Sequence, residues 1–208
     1  MLKVTVLVSG GGTNLQALLD GVKSGSVRNT EIVRVISSKK NVKALERAEN
    51  AGIKTDVVER RAYASIEEYG KALDRSIEES KADLIVLAGF LTVLPGSLVR
   101  KYENRMINIH PALIPSFCGE GYYGLKVHEE VLKRGVKVTG ATVHFVDEGC
   151  DSGPIILQKA VEVRNDDTPE TLQRRVMESA EWKLLPEAVD LIAEGRVSIK
   201  DGRVVISE

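Results

Sequence analysis

The sequence predicts an α/β protein: a three-layer sandwich with a mostly parallel, Rossmann-like N-terminal sheet and antiparallel strands added in the C-terminal half. Three observations carry that expectation. Apolar strand-like runs alternate with amphipathic helical patterns up to about residue 110, the order of parallel βαβ units. The first run ends on Ser9-Gly10-Gly11-Gly12-Thr13-Asn14, a glycine turn leading from strand to helix. After His110 the character changes, and two longer strand-like runs follow one another.

Leu2 to Val8 reads as a buried strand. The next helix begins near Thr13 or Asn14, with Leu15, Leu18, Leu19 and Val22 on its apolar face. Glu31 to Ser37 is strand-like, and Val42 to Ala51 is helical and closed by Gly52. Lys54 to Val58 makes a third strand, Ser65 to Ser80 a charged amphipathic helix, and Asp83 to Ala88 a strongly apolar strand. Arg105 to His110 is strand-like and stops at Pro111, which lacks an N–H and disfavours helix for His110. The loop from 111 to about 124 holds two prolines, three glycines and two tyrosines. A short helix covers Lys126 to Arg134, and strands cover Thr139 to Val146 and Ile155 to Val163. Pro169 after Asp167-Thr168 opens a helix reaching about Glu194, which Pro186 should kink or break. The tail is a hairpin around Asp201-Gly202. No internal repeat or low-complexity segment interrupts the chain.

Lysine and arginine number 29 against 30 acidic residues, a balance that favours neither nucleic acid nor an anionic membrane surface. A small anionic substrate stays open. Cys118 and Cys150 form no disulfide framework. The N-terminal apolar run is too short for a signal sequence, and none is long enough to span a membrane. The expectation is a soluble, cytoplasmic protein.

The chemistry concentrates in Asn108-Ile109-His110-Pro111 and Asp151. Asn108 and His110 lie two apart on a strand and so share a face. Asp151 lies in the turn-rich Gly149-Cys150-Asp151-Ser152-Gly153-Pro154, which can bring a carboxylate to the imidazole. An amide, an imidazole and a carboxylate supply an oxyanion donor, a proton-transfer group and a tuner of its pKa. None is a strong nucleophile, so direct group transfer is expected. Plainer readings stand beside these: a structural His110, an Asp151 that serves its turn, solvated Asp147 and Glu148, and a small buried Cys150. His128, in a charged helix, reads as a surface residue. His144 reads as a core histidine or as support for the site from the next strand. No zinc-ligand spacing is present. The glycine loop suits a lone phosphomonoester, through bare backbone and a helix dipole, although a plain tight turn would look the same.

Taken together, Ser9-Gly-Gly-Gly-Thr-Asn-Leu-Gln16, Leu87-Ala-Gly-Phe90, Asn108-Ile-His-Pro-Ala-Leu-Ile-Pro115, Gly140-Ala-Thr-Val-His-Phe-Val146 and Asp151-Ser-Gly-Pro-Ile-Ile156 resemble the phosphoribosylglycinamide formyltransferase family in order and spacing. The resemblance runs over about residues 2 to 195. It implies the formyltransferase fold and formyl transfer from 10-formyltetrahydrofolate to the amine of glycinamide ribonucleotide in purine biosynthesis. Both partners are small molecules; no metal, nucleic acid or membrane is implied, and the protein would be a monomer or homodimer. In this reading 1–208 is one domain, with a phosphate-binding half (1–110), a folate and catalytic half (111–195) and a short hairpin (196–208). Asn108 and protonated His110 would stabilise the tetrahedral oxyanion. Asp151 would raise the imidazole pKa and orient a proton-shuttling water. Gly11, Gly12, Thr13 and Asn14 would cradle the phosphate, and Glu181 with Glu178 the ribose. Leu91, Thr92, Val93 and Leu94, with Asn108 and the loop Asp147, Glu148, Gly149, Cys150 and Asp151, would wall the folate pocket. Thr92 and Ile66 stand where relatives commonly carry arginine, and the loop 116–124 is longer than in some members. The related hydrolase normally adds an N-terminal regulatory domain and the tRNA formyltransferase a C-terminal one, and the sequence is expected to have neither.

Overall fold

The computed structural model describes all 208 residues. A seven-stranded sheet runs in the order β3-β2-β1-β4-β5-β6-β7. Its strands are β1 (Leu2–Val8), β2 (Thr30–Ser37), β3 (Thr55–Val57), β4 (Leu84–Leu87), β5 (Met106–His110), β6 (Val138–Phe145) and β7 (Ile155–Glu162). The first five are parallel, and β6 and β7 are antiparallel. The α/β sandwich with antiparallel strands added late is therefore the architecture found. Helices α1 (Thr13–Ser24), α2 (Lys43–Asn50), α5 (Leu125–Arg134), α6 (Pro169–Val176) and α7 (Trp182–Ala193) cover one face, and α3 (Ile66–Ser80) and α4 (Gly96–Lys101) the other.

Strand alternation builds both cores. Val4, Val6 and Val8 of β1 with Leu84 and Val86 of β4 enter the larger cluster, while Leu7, Ile85 and Leu87 enter the smaller. On β5, Ile107 and Ile109 face the larger cluster, so Asn108 and His110 share the opposite face. On β6, Ala141, Val143 and Phe145 face the larger cluster, which puts Thr142 and His144 on the same side as Asn108 and His110. The register pairs Asn108 with His144 and His110 with Thr142.

Most termini follow their signals. Ser65 caps α3 through the Glu68 N–H, and Thr168 and Thr171 form a reciprocal cap with Pro169 in the first turn of α6. The hairpin β8 (Val197–Lys200) and β9 (Arg203–Ile206) turns on Asp201 and Gly202, both left-handed. No helix is long and apolar enough to cross a membrane.

One expectation is corrected and one element is added. The C-terminal helix is interrupted by a π-helical turn at Met177–Glu181, upstream of Pro186, which lies inside α7. The proline ring still removes one donor, but its position in the second turn of α7 leaves that helix intact. Helix α4 was not anticipated: its six residues are too few to show a helical period.

Candidate active site

The strand order reverses between β1 and its neighbours, with β2 on one side and β4 on the other. In such sheets a crevice opens at the carboxyl ends of the strands. Three adjacent parallel strands, β1, β4 and β5, deliver the glycine loop, the Gly89–Leu94 segment and His110 to that edge. Ser9 joins the first two: its hydroxyl accepts from the Leu91 N–H at 2.9 Å and lies 2.6 Å from the Ser38 hydroxyl.

The glycine loop is arranged to present donors. The Gly10 carbonyl accepts from Ala44 N–H (3.1 Å), Gly12 from Gln16 N–H (2.9 Å) and Gly11 from Arg47 Nε (2.9 Å). No acceptor within the protein takes the N–H groups of Gly11, Gly12, Thr13 or Asn14, and no side chain caps α1. Gly12 has φ +69°, and a Cβ there would meet the Ala44 Cβ at 2.6 Å. Glycine is required because α2 packs directly on the loop. Behind it, Asn14 donates to buried Glu181 at 2.7 Å. Burial pushes the Glu181 carboxyl up to about 7, with Asn14 opposing.

The catalytic candidates converge. Asn108 Nδ2 lies 3.1 Å from His144 Nε2 and donates to Asp151 Oδ1 at 3.4 Å. His144 Nδ1 lies 2.8 Å from the Phe145 carbonyl, which assigns the proton to Nδ1 and leaves Nε2 as acceptor for the amide. His144 is thus a buried, hydrogen-bonded histidine, and one of its two partners is Asn108. His110 Nε2 lies 2.8 Å from the Phe117 carbonyl, and its Nδ1 is 3.5 Å from Asp151 Oδ2. Asp151 also accepts from the Gly119 N–H at 3.0 Å and holds a left-handed φ of 56°. Gly153 sets this turn, since a Cβ would lie 2.0 Å from the Phe145 carbonyl.

Burial alone would raise the Asp151 pKa, but the proton-bearing forms of His144 and His110, with the Gly119 N–H, bring it below the usual carboxylate value. Burial lowers His110, and the opposing pull of Asp151 and the Phe117 carbonyl does not overcome it. Asp151 thus raises the imidazole pKa as expected, but desolvation outweighs it and biases His110 toward the neutral form.

Elsewhere the placements differ from expectation. Glu178 is exposed beside Arg164, Arg174 and Arg175, apart from the buried Glu181. A π-helical turn advances less per residue than an α-helix, so residues three apart no longer share a face. Leu91 and Val93 expose apolar side chains (52% and 79%), with Thr92 and Leu94 half-buried between and after them. Asp147 organises its own loop by accepting from Gly149 N–H and the Ser152 hydroxyl, and Glu148 pairs with Arg100 of α4. Cys150 is exposed, not buried, because its loop projects beyond the sheet. His128 is fully buried with neither ring nitrogen bonded, against the surface reading. Its charged neighbours Lys126 and Glu129 point outward while Val127 and Val131 line the core. Sequence reasoning passed over Arg47 and Arg100; a lone arginine on a short helix carries no local signal.

An amide donor and an imidazole–carboxylate pair, set beside a row of free N–H groups and without a nucleophilic side chain, suit acyl-group chemistry that forms no covalent enzyme intermediate. Comparison with known proteins agrees: the Formyl transferase family model matches residues 2–189, and the chain belongs to that family. It is 36% identical over 200 residues to the phosphoribosylglycinamide formyltransferase of Escherichia coli (strain K12), covering 96% of this chain and 91% of that protein. The crystal structure of glycinamide ribonucleotide transformylase 1 from Symbiobacterium toebii superposes with a TM-score of 0.93 at 42% identity, covering 100% of this chain and 95% of that one. The chain is also 48% identical over 198 residues to the trifunctional purine biosynthetic protein adenosine-3 of Gallus gallus, covering 95% of this chain and 19% of that protein. It thus spans about a fifth of the length of such relatives.

Proposed function

We propose that this chain transfers the formyl group of 10-formyltetrahydrofolate to the amine of 5-phosphoribosylglycinamide, as a cytoplasmic enzyme of two small substrates. The observation that carries the reading is the row of three adjacent strand ends. The phosphate loop and the Asn108–His110–Asp151 cluster stand two strands apart, roughly 10 Å at the usual spacing, a distance that a phosphoribosylglycinamide spans from phosphate to amine. The N–H groups of Gly11, Gly12, Thr13 and Asn14 take the phosphate, and Glu181 accepts from the ribose hydroxyls. The exposed Leu91 and Val93 offer an apolar wall to the folate ring, with Thr92, Leu94 and the loop 147–151 around it.

The amine attacks the formyl carbon and the carbonyl oxygen becomes an oxyanion. Asn108 stabilises it by turning toward it the N–H that otherwise makes the longer bond to Asp151. His110 Nδ1 is unprotonated and faces Asp151. It accepts the proton lost by the attacking amine, and the carboxylate stabilises the resulting imidazolium. The Nε2–H bond to Phe117 keeps the ring oriented. The bond from the formyl carbon to N10 then breaks, N10 takes the proton held by His110, and tetrahydrofolate and the formylated amide leave.

A spectrophotometric assay with 10-formyltetrahydrofolate, with and without the ribonucleotide, tests this reading. Turnover only with the ribonucleotide is expected. Formyl loss at the same rate without it would make the protein a hydrolase.

A further inference from the structure

The bond from Arg47 to the glycine loop has a consequence beyond holding a turn. Arg47 Nε donates to the Gly11 carbonyl at 2.9 Å, and its Nη1 donates to Gln16 Oε1 at 2.8 Å. The side chain is half-buried and held at two points. Three of its five N–H donors remain unused. It pairs with no carboxylate, in contrast to Arg34 on Asp56 and Arg175 on Asp167. The first turn of α1 carries no acidic residue either. A guanidinium fixed on the carbonyl side of the glycine loop, without a counter-ion, lacks the partner that half-buried charge calls for.

We propose that Arg47 completes the phosphate subsite. It positions the loop by drawing the Gly11 carbonyl away from the anion, and it supplies the positive charge that backbone N–H groups alone do not. This inference rests on the reading of the glycine loop as the phosphate subsite. A dianionic phosphomonoester would then meet the backbone donors directly, with the positive charge of the guanidinium held behind the loop on the Gly11 carbonyl.

The test compares wild type, Arg47→Gln and Arg47→Lys with the ribonucleotide, with its dephosphorylated nucleoside, and with inorganic phosphate as a competitor. Arg47→Gln is expected to raise the ribonucleotide KM about tenfold or more, with kcat and the nucleoside KM within about twofold. Phosphate inhibition should weaken in parallel. Arg47→Lys should recover part of the loss, because charge returns without the fork. An equal loss with nucleotide and nucleoside would show that Arg47 only holds the fold, and would overturn the proposal. If wild type itself did not discriminate nucleotide from nucleoside, the phosphate reading would fail and Arg47 with it. Discrimination that persists in Arg47→Gln would overturn the Arg47 role alone.

Discussion

The glycine loop and the catalytic cluster sit at one edge of the sheet but are made of different material. The loop works through backbone: its carbonyls are occupied, its N–H groups are free, and one glycine is required by the close packing of α2. The cluster works through side chains from β5, β6 and the 147–153 loop, whose protonation states depend on one another. A backbone site follows from a short stretch of sequence, whereas a coupled side-chain site depends on burial that only the assembled fold sets.

Removing one charge from the cluster should therefore have the largest effect and leave the loop untouched. Asp151→Asn keeps the shape, tolerates the left-handed backbone and retains an acceptor for the Gly119 N–H. It removes the charge that favours imidazolium at His110. We expect kcat to fall about 10²- to 10⁴-fold, with the ribonucleotide KM nearly unchanged, as read by steady-state kinetics. A near-normal kcat would break the comparison, since the cluster would then not depend on its charges.

How much was legible follows the same division. The spacing of Asn108 and His110 placed them on one face because strand alternation is local, and the Gly153 turn brought Asp151 to them. The parallel strands and the late antiparallel pair were legible from hydrophobic runs and helix caps. The neutral bias of His110 was not, because desolvation is a property of the packed site rather than of neighbouring residues. The outward turn of Glu178 was hidden by a π-helical turn, which α-helical spacing does not anticipate. The role of His144 stayed open until the β5–β6 register set it opposite Asn108.

The loop should respond to a methyl group where the cluster responds to a charge. Gly12→Ala places a Cβ 2.6 Å from Ala44 Cβ and 2.8 Å from its Cα, on a residue at φ +69°. The strain and the displaced helix should cost about 1–3 kcal/mol of stability, read by thermal unfolding. The ribonucleotide KM should rise while kcat at saturation holds. A change confined to the KM for 10-formyltetrahydrofolate would remove the phosphate assignment and, with it, one side of the comparison.

The smallest effect separates, within the catalytic half, charges that serve chemistry from a group that is merely buried. Burial first, and nearby His110 second, together lower the His128 pKa to about 4. The unfolded chain takes up a proton near the ordinary value of about 6.5, so between these values it binds more protons than the folded form. Stability is thus complete above the unfolded pKa and is lost as pH falls through this window, by about 1 kcal/mol near pH 5.5. His128→Leu replaces an imidazole with no hydrogen-bond partner by an apolar group, so the variant should be no less stable at neutral pH. Its stability should fall less steeply with acid, while His110 contributes alike to both proteins as long as His128 is neutral. The pH profile of kcat near neutral pH should not move, because a neutral His128 brings no charge to His110 and makes no bond to Asn108, His110 or Asp151. If that profile shifted with the stability curve, His128 would belong to the coupled cluster, whose boundary would then extend from the sheet edge into α5.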